Sequence, residues 1–176
     1  MEAVQSHWIR SRWRVLNPAI YLISILPVLV CALASPSKSP FSFYGWVGLA
    51  VVLIQHAINV FNDETDWKKG ADVEKKDSWF HFHKENSSAL KTHARLSLIA
   101  GLLLGVGLVL EMDQLKILWV ALPLVALGLL YNHPRWTLSY SHWGEWVTAI
   151  CYGPGVFGCM FFLVHQRLSL ELALVS

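Results

Sequence analysis

The stretch that decides the fold is YGWVGLAVVLIQHAINVF at residues 44–61, followed at once by NDETDWKKGAD at residues 62–72. The first part is apolar and near the lower end of the roughly 17–25 residues that a helix needs to cross a membrane. In the second part, the spacing of Asn62, Asp63 and Asp66 places their oxygens on one face of a helix, within about one turn. Acids at the mouth of a membrane helix are costly unless they bind a cation. The stretch therefore predicts a membrane helix that ends in a cation site.

The composition of the chain is that of a membrane protein. It is 55% hydrophobic and 15% charged, with nine tryptophans, whereas soluble domains are roughly 45–50% apolar and about 25% charged. The net charge of +2 gives no indication of nucleic acid binding. The three cysteines lie in apolar segments without a CxxC pair, so they are interpreted as small core residues rather than zinc ligands or disulfides: Cys31, Cys151 and Cys159.

Five apolar runs have lengths compatible with membrane crossing: residues 16–33, 44–61, 96–110, 115–131 and 146–164. The third is too short unless its helix begins before Leu96. The predicted fold is therefore all-α, a polytopic membrane helical bundle with about five spans, which forms a single domain over residues 1–176. The first run contains Pro18 and Pro27 and is followed by further spans, so it is not interpreted as a cleavable signal peptide.

The distribution of lysine and arginine predicts the orientation of the bundle. If the N-terminus is cytoplasmic, three of these residues fall outside, namely Lys38, Lys116 and Arg167, and the others fall inside. Positively charged loops favour the cytoplasmic side. The acidic stretch is therefore expected to face the cytoplasm from a cell (inner) membrane.

The acidic stretch has the chemistry of a magnesium site. Gly70 permits a turn that brings Asp72 back towards Asp63 and Asp66. Hard oxygen ligands in a loose arrangement suit Mg²⁺, which keeps several waters and is commonly shared with substrate phosphates. The residues thus predict a site for a magnesium–diphosphate complex at the membrane surface.

A second polar segment, residues 131–145, is expected on the same side of the membrane. Pro134 excludes a continuous helix there, and Gly144 and Glu145 open the fifth span. A carboxylate at a helix start is favourable in itself, which accounts for Glu145 without a function. This loop and the acidic stretch are expected to line one cavity together.

These motifs resemble those of the UbiA superfamily of intramembrane aromatic prenyltransferases, and are most similar to its 1,4-dihydroxy-2-naphthoate polyprenyltransferase branch. The first aspartate motif is matched by Asn62, Asp63, Asp66, Gly70 and Asp72 at the end of the second span. The loop motif is matched by Tyr131, Tyr140, Gly144 and Glu145, with His142 where the family has a glycine, and Gly153-Pro154 follows as in the family. Near the N-terminus, Arg14, Asn17-Pro18 and Pro27-Val28 resemble further family elements.

The sequence differs from the family pattern at its C-terminal end. The family has nine spans and a second aspartate motif at the end of the sixth, whereas this sequence stops at Ser176 without a second acidic cluster. The expectation is either the N-terminal part of a longer enzyme, which would work with a C-terminal half or a complementing partner, or a shortened homologue.

The resemblance implies Mg²⁺-dependent transfer of a polyprenyl group from a polyprenyl diphosphate to an aromatic acceptor within the lipid bilayer, in quinone synthesis. It implies that Asp63 and Asp66 are catalytic and that Mg²⁺ is held by Asn62, Asp63, Asp66 and Asp72. The expected substrate-binding residues are Asn59, Lys68, Lys69, Tyr131 and Tyr140. Each has a plainer interpretation: Asn59 as a helix–helix hydrogen bond, the lysines (Lys84 included) as positive-inside residues, and the tyrosines as an interfacial belt.

Several alternatives remain open at this point. Gln55 and His56 either line the cavity or form interhelical hydrogen bonds, and His81 with His83 forms either a metal pair or a solvated loop. The acceptor can be 4-hydroxybenzoate, haem, chlorophyllide or an archaeal glycerol ether, and the chain can be a noncatalytic prenyl-diphosphate or Mg²⁺ binder. A transporter is disfavoured because the spans lack mid-membrane charges and repeat symmetry.

Overall fold

The structure, a computed structural model, describes residues 13–34, 40–71, 74–75, 77–133 and 138–165. These residues fold into helices, which we number along the chain: α1 Leu22–Ala34, α2 Phe41–Lys68, α3 Trp79–Phe82, α4 Ser87–Glu111, α5 Leu118–Tyr131, α6 Trp143–Ile150 and α7 Gly158–His165. Short 3₁₀ turns precede α1, α5 and α6, at Pro18–Tyr21, Leu115–Ile117 and Leu138–Tyr140. A π-helical segment, Cys151–Phe157, joins α6 to α7.

Four helical segments are long and apolar enough to cross a membrane: Trp13–Ala34, Phe41–Lys68, Ser87–Glu111 and Trp143–His165. A fifth apolar helical segment, Leu115–Tyr131, is shorter. The predicted helical membrane bundle is thus confirmed. The third span begins well before Leu96, because the Asn86 side chain caps its N-terminus by accepting hydrogen bonds from the backbone N–H groups of Ser88 and Ala89.

Helices α2 and α4 form the most closely packed pair of the bundle. A Cβ atom at Gly101 of α4 would lie 2.8 Å from a side-chain carbon of Ile54 and 3.0 Å from the carbonyl oxygen of Ala50. The Ser97 hydroxyl donates to the carbonyl of Leu53 at 2.9 Å in the same interface. Small residues let two membrane helices approach closely, which is why glycine and serine occupy this face of α4.

Two buried clusters lie at opposite ends of the bundle. One joins α1, α2, α4 and α7 near the loop after α1, and includes Tyr44, Val47 and Met160. The other lies under the acidic end of α2, where Val60, Leu90 and Phe80 pack together. Between them α2 and α4 pack directly against each other, and large apolar residues such as Trp119 (85% exposed) cover the outer surface, where lipid would contact them.

Candidate functional site

The last turns of α2 carry Asn59, Asn62, Asp63 and Asp66 at helical spacing of three and four residues. Because α2 continues to Lys68, the acidic stretch is helical rather than a loop up to this point. The Asn62 side-chain amide donates to one carboxylate oxygen of Asp66 at 2.5 Å. The helix thus brings an amide and two carboxylates to one face, as their spacing predicts.

The second polar loop reaches the same carboxylate. The phenolic O–H of Tyr140 donates to the other oxygen of Asp66 at 2.7 Å, and the Lys69 ammonium lies 4.7 Å from the centre of the Tyr140 ring. The hydroxyl of the adjacent Thr65 donates to the carbonyl of Asn132 at 3.2 Å. The two segments expected to share a cavity are therefore in contact, with Asp66 at their junction.

The described residues between Lys68 at the end of α2 and Ser87 at the start of α4, which we call the first polar loop, fold over Asp63. The backbone N–H of Trp79 donates to Asp63 at 2.6 Å, and the Lys75 ammonium lies 3.8 Å from the second oxygen of the same carboxylate. Helix α3 is short and is held by its N-cap Ser78, whose hydroxyl accepts from the backbone N–H of His81. The Trp79 contact could not be predicted from the sequence, since a backbone donor can come from any residue.

Two cavities meet at this end of α2. A polar cavity of about 500 Å³ is bounded by the segment before α1 and by the first polar loop, and its lining includes Arg14, Tyr21, Asp63, Lys75 and Trp79. An apolar cavity of about 380 Å³ extends into the bundle between α2, α5 and the π-helical segment, and its lining includes Val51, Ala121, Leu124, Tyr131 and Gly155. Ile20, Asn59 and Asn62 line both cavities.

The π-helical segment helps to form the apolar cavity. It contains Pro154, which has no N–H to donate, and a Cβ atom at Gly155 would lie 2.8 Å from the carbonyl oxygen of Ile150. π-helical segments occur often at functional sites. Here the wider turn lets the backbone of residues 151–157 lie against α5, with Tyr152 and Gly155 on the cavity wall.

A buried polar atom at the junction fits a cation site in this region. The Asn62 side-chain oxygen is buried without a hydrogen-bond partner, although buried polar groups normally have one, and amide oxygens are among the hard ligands of Mg²⁺. Among the described residues, no three histidine, cysteine, aspartate or glutamate side chains are close enough to hold a metal ion alone. The donor set of Asn62, Asp63 and Asp66 therefore fits a Mg²⁺ ion that takes the rest of its ligands from phosphate and water.

The other predicted site residues have different surroundings. Tyr131 lines the apolar cavity. Lys68 pairs with the buried Glu64 at 2.5 Å, and Lys91 of α4 reaches the same Glu64 oxygen at 3.3 Å, so this group braces α2 against α4. Asp72 lies outside the described residues.

The two polar residues within α2, Gln55 and His56, form interhelical hydrogen bonds, and one of them also lines the apolar cavity. Gln55 accepts from the Ser24 hydroxyl at 2.5 Å, donates to the carbonyl of Ile20 at 2.7 Å and also lines the apolar cavity. His56 forms interhelical contacts with Tyr21 and His93. His81 and His83 do not share a site, because His81 bonds to Ser78 and His83 bonds to His93.

Comparison with known proteins now extends these observations. The chain is 26% identical over 175 residues to a 1,4-dihydroxy-2-naphthoate octaprenyltransferase of Bacillus subtilis (strain 168), an alignment that covers 93% of this chain and 54% of the relative. It thus spans about half the length of the curated relative it matches. No solved structure matches it. The sequence profile of the UbiA prenyltransferase family matches residues 22–176, and the chain belongs to this family.

Proposed function

We propose that this chain carries the diphosphate-binding half of a Mg²⁺-dependent prenyltransferase that transfers a polyprenyl group to an aromatic acceptor such as 1,4-dihydroxy-2-naphthoate. The observation that carries the proposal is the junction of a polar and an apolar cavity at Asn59 and Asn62. A polyprenyl diphosphate has the same division, with a highly charged head and a long hydrocarbon tail. Its head fits the polar cavity and its tail the apolar one.

The roles of the residues follow from their positions. Asn62, Asp63 and Asp66, together with Asp72, would hold Mg²⁺, which neutralises the negative charge that develops on the diphosphate as it leaves. Arg14 and Lys75 line the polar cavity and supply further positive charge to the same group. Lys69 lies over the Tyr140 ring next to Asp66, and we propose that it contacts the diphosphate from the opposite side.

The apolar cavity performs the second task of this chemistry. Departure of the diphosphate leaves an allylic cation, which water would quench, and an apolar lining excludes water from the reacting carbon. Tyr131 lies on the cavity wall, and we propose that its aromatic ring stabilises the cation. We further propose that the site opens to the cytoplasm, as the lysine and arginine distribution predicts.

Transfer of radiolabelled prenyl diphosphate to 1,4-dihydroxy-2-naphthoate, in membranes that contain this chain, tests the proposal with and without Mg²⁺. We expect a Mg²⁺-dependent product that disappears in Asp66→Asn. Glu64→Gln is the matched control, because Glu64 lies on the same turn but is buried against Lys68 and Lys91. Equal activity of Asp66→Asn and the wild type would refute the assigned site.

A noncatalytic binder of prenyl diphosphate is the second candidate, because no three histidine, cysteine, aspartate or glutamate side chains of the described residues are close enough to hold a metal ion alone. Sequencing the gene beyond codon 176 shows which product has to be assayed. If the reading frame continues, the longer product belongs in the same assay, since a C-terminal half or a complementing partner would then complete the enzyme. Prenyl diphosphate binding without transfer by any of these products would favour the binder.

A further inference from the structure

Four side chains from four segments form one continuous hydrogen-bonded chain beside the polar cavity. The Tyr21 hydroxyl lies 2.7 Å from Nδ1 of His56, and Nε2 of His56 lies 3.0 Å from Nε2 of His93. Nδ1 of His93 lies 3.0 Å from Nε2 of His83. Of these four residues, the sequence analysis named only His56 and His83 as candidate functional residues, and it predicted no contact between them.

The arrangement is that of a proton path rather than of a metal site. His93 uses its two ring nitrogens for two different neighbours, so its lone pairs cannot serve one ion together with both His56 and His83. The separations of 3.0 Å are ordinary hydrogen-bond lengths, which require one proton between each pair of nitrogens.

A count of the protons shows that this hydrogen-bonded chain can pass a proton while all three imidazoles are neutral. Three neutral imidazoles carry three N–H groups, and two of these occupy the two histidine–histidine bonds. The third lies at either end, on Nδ1 of His83 or on Nδ1 of His56, and the Tyr21 hydroxyl donates or accepts to match. One added proton binds the terminal ring nitrogen that is still unprotonated, and both histidine–histidine bonds remain. A second added proton would place two protons between one pair of nitrogens and break that hydrogen bond.

The two ends of the chain lie in different surroundings. Tyr21 lines the polar cavity together with Asp63. His83 lies in the first polar loop, at the C-cap of α3. The indole ring of Trp79 packs edge-on against His56 and His93, with ring centres 4.9 and 5.0 Å apart, and shields the middle of the chain.

We infer that Tyr21, His56, His93 and His83 form a proton relay that connects the polar cavity with the first polar loop. The inference rests on the proposed function and adds a route for its proton. When a hydroxyarene attacks the prenyl carbon, the C–O bond to diphosphate breaks and its electron pair leaves with the diphosphate. The ring forms the new C–C bond, the hydroxyl becomes a carbonyl, and one proton is released.

That proton moves without net charge build-up inside the protein. Tyr21 accepts it as its own proton passes to Nδ1 of His56, the proton on Nε2 of His56 passes to His93, and the proton on Nδ1 of His93 passes to His83. The proton on Nδ1 of His83 then leaves to solvent, so one proton enters and one departs. Burial lowers the pKa of His83, which keeps its imidazole neutral near pH 7, as the relay requires.

Single-turnover prenyl transfer and prenyl diphosphate binding, measured on the whole chain in membranes, test the relay with His93→Gln. Glutamine retains hydrogen bonding but cannot pass a proton. We expect transfer to slow by about 100-fold, the lower end for loss of a positioned proton transfer, with binding unchanged. His81→Gln is the control, because His81 lies two residues before His83 in α3 but its ring hydrogen-bonds to Ser78.

Chemical rescue in His83→Gly separates proton transfer from packing. Imidazole is expected to restore the rate, whereas pyrrole, which fills the same space without a basic nitrogen, is not. Rescue by both compounds, or a wild-type rate in both His93→Gln and His83→Gly, would overturn the relay while prenyl transfer stands. Absence of prenyl transfer both from the wild-type chain and from any longer product of its gene would overturn the proposed function, and the relay with it.

Discussion

If the apolar cavity holds the prenyl tail, as proposed, its volume should limit the length of the prenyl chain that the protein accepts. Ala121 of α5 lines this cavity, whereas Ala126 of the same helix is exposed on the outer surface. Ala121→Trp places an indole in a cavity of about 380 Å³. Since a cavity of about 150 Å³ holds one benzene ring, the indole removes roughly 40% of the space that the tail would occupy.

The size of the effect depends on where the displaced part of the tail goes. In water, exposing five carbons would cost roughly 4 kcal/mol at about 0.8 kcal/mol per CH₂ group. In a bilayer the displaced carbons contact lipid, which is as apolar as the cavity, so this term largely vanishes. What remains is the cost of crowding, about 1–3 kcal/mol, which corresponds to roughly a 5- to 150-fold loss of kcat/KM for long chains.

The assay compares prenyl diphosphates of two, four and eight isoprene units as substrates for both variants. In Ala121→Trp we expect the loss for the longest donor and little change for the shortest. Ala126→Trp, which carries the same substitution towards lipid, should resemble the wild type throughout. An equal loss for all three donors in Ala121→Trp, or the same length dependence in Ala126→Trp, would refute the assignment of this cavity to the tail.

Three further predictions concern the contacts that hold the site together. Gly101→Ala should destabilise the bundle by about 1–3 kcal/mol, because the new methyl group meets backbone atoms of α2. Gly107→Ala in the same helix meets nothing within 4 Å and should be neutral or stabilising in thermal unfolding. Gln55→Leu should cost about 1–3 kcal/mol in the same measurement, since it removes the partner of the buried Ser24 hydroxyl and of the partly buried Ile20 carbonyl. Tyr140→Phe removes the hydrogen bond to Asp66 and should speed amide exchange in residues 138–142 about fivefold, for a loss of roughly 1 kcal/mol; unchanged exchange would contradict that bond.

The parts of the site that the sequence predicted are those set by a single helix. The positions of Asn62, Asp63 and Asp66 follow from the helical repeat, and nothing else in the chain is needed to place them on one face. The apolar runs likewise predict their own helices, since the bilayer imposes the length. The early start of α4 also has a local signal in the sequence, because Asn86 is a residue type that favours the N-cap of a helix.

The parts that the sequence did not predict depend on how the helices are rotated against one another. His56 and His93 are 37 residues apart, and they meet only because α2 and α4 present those particular faces to each other. The role of Lys68 was ambiguous for the same reason. Its spacing to Glu64 favours an ion pair, but only the position of Lys91 on α4 shows that this pair is directed away from the acidic face.

The position of the two cavities constrains where the proposed reaction would occur. The carbon–oxygen bond of a polyprenyl diphosphate joins the charged head to the apolar tail, so we expect it where the cavities meet, beside Asn59 and Asn62. Neutral amides suit that position better than further carboxylates or lysines. A carboxylate there would be exposed to the allylic cation as a nucleophile, and an ammonium would repel the cation, whereas an amide stabilises the departing oxygen without either effect. The charged residues accordingly lie one turn further out along α2, at Asp63 and Asp66.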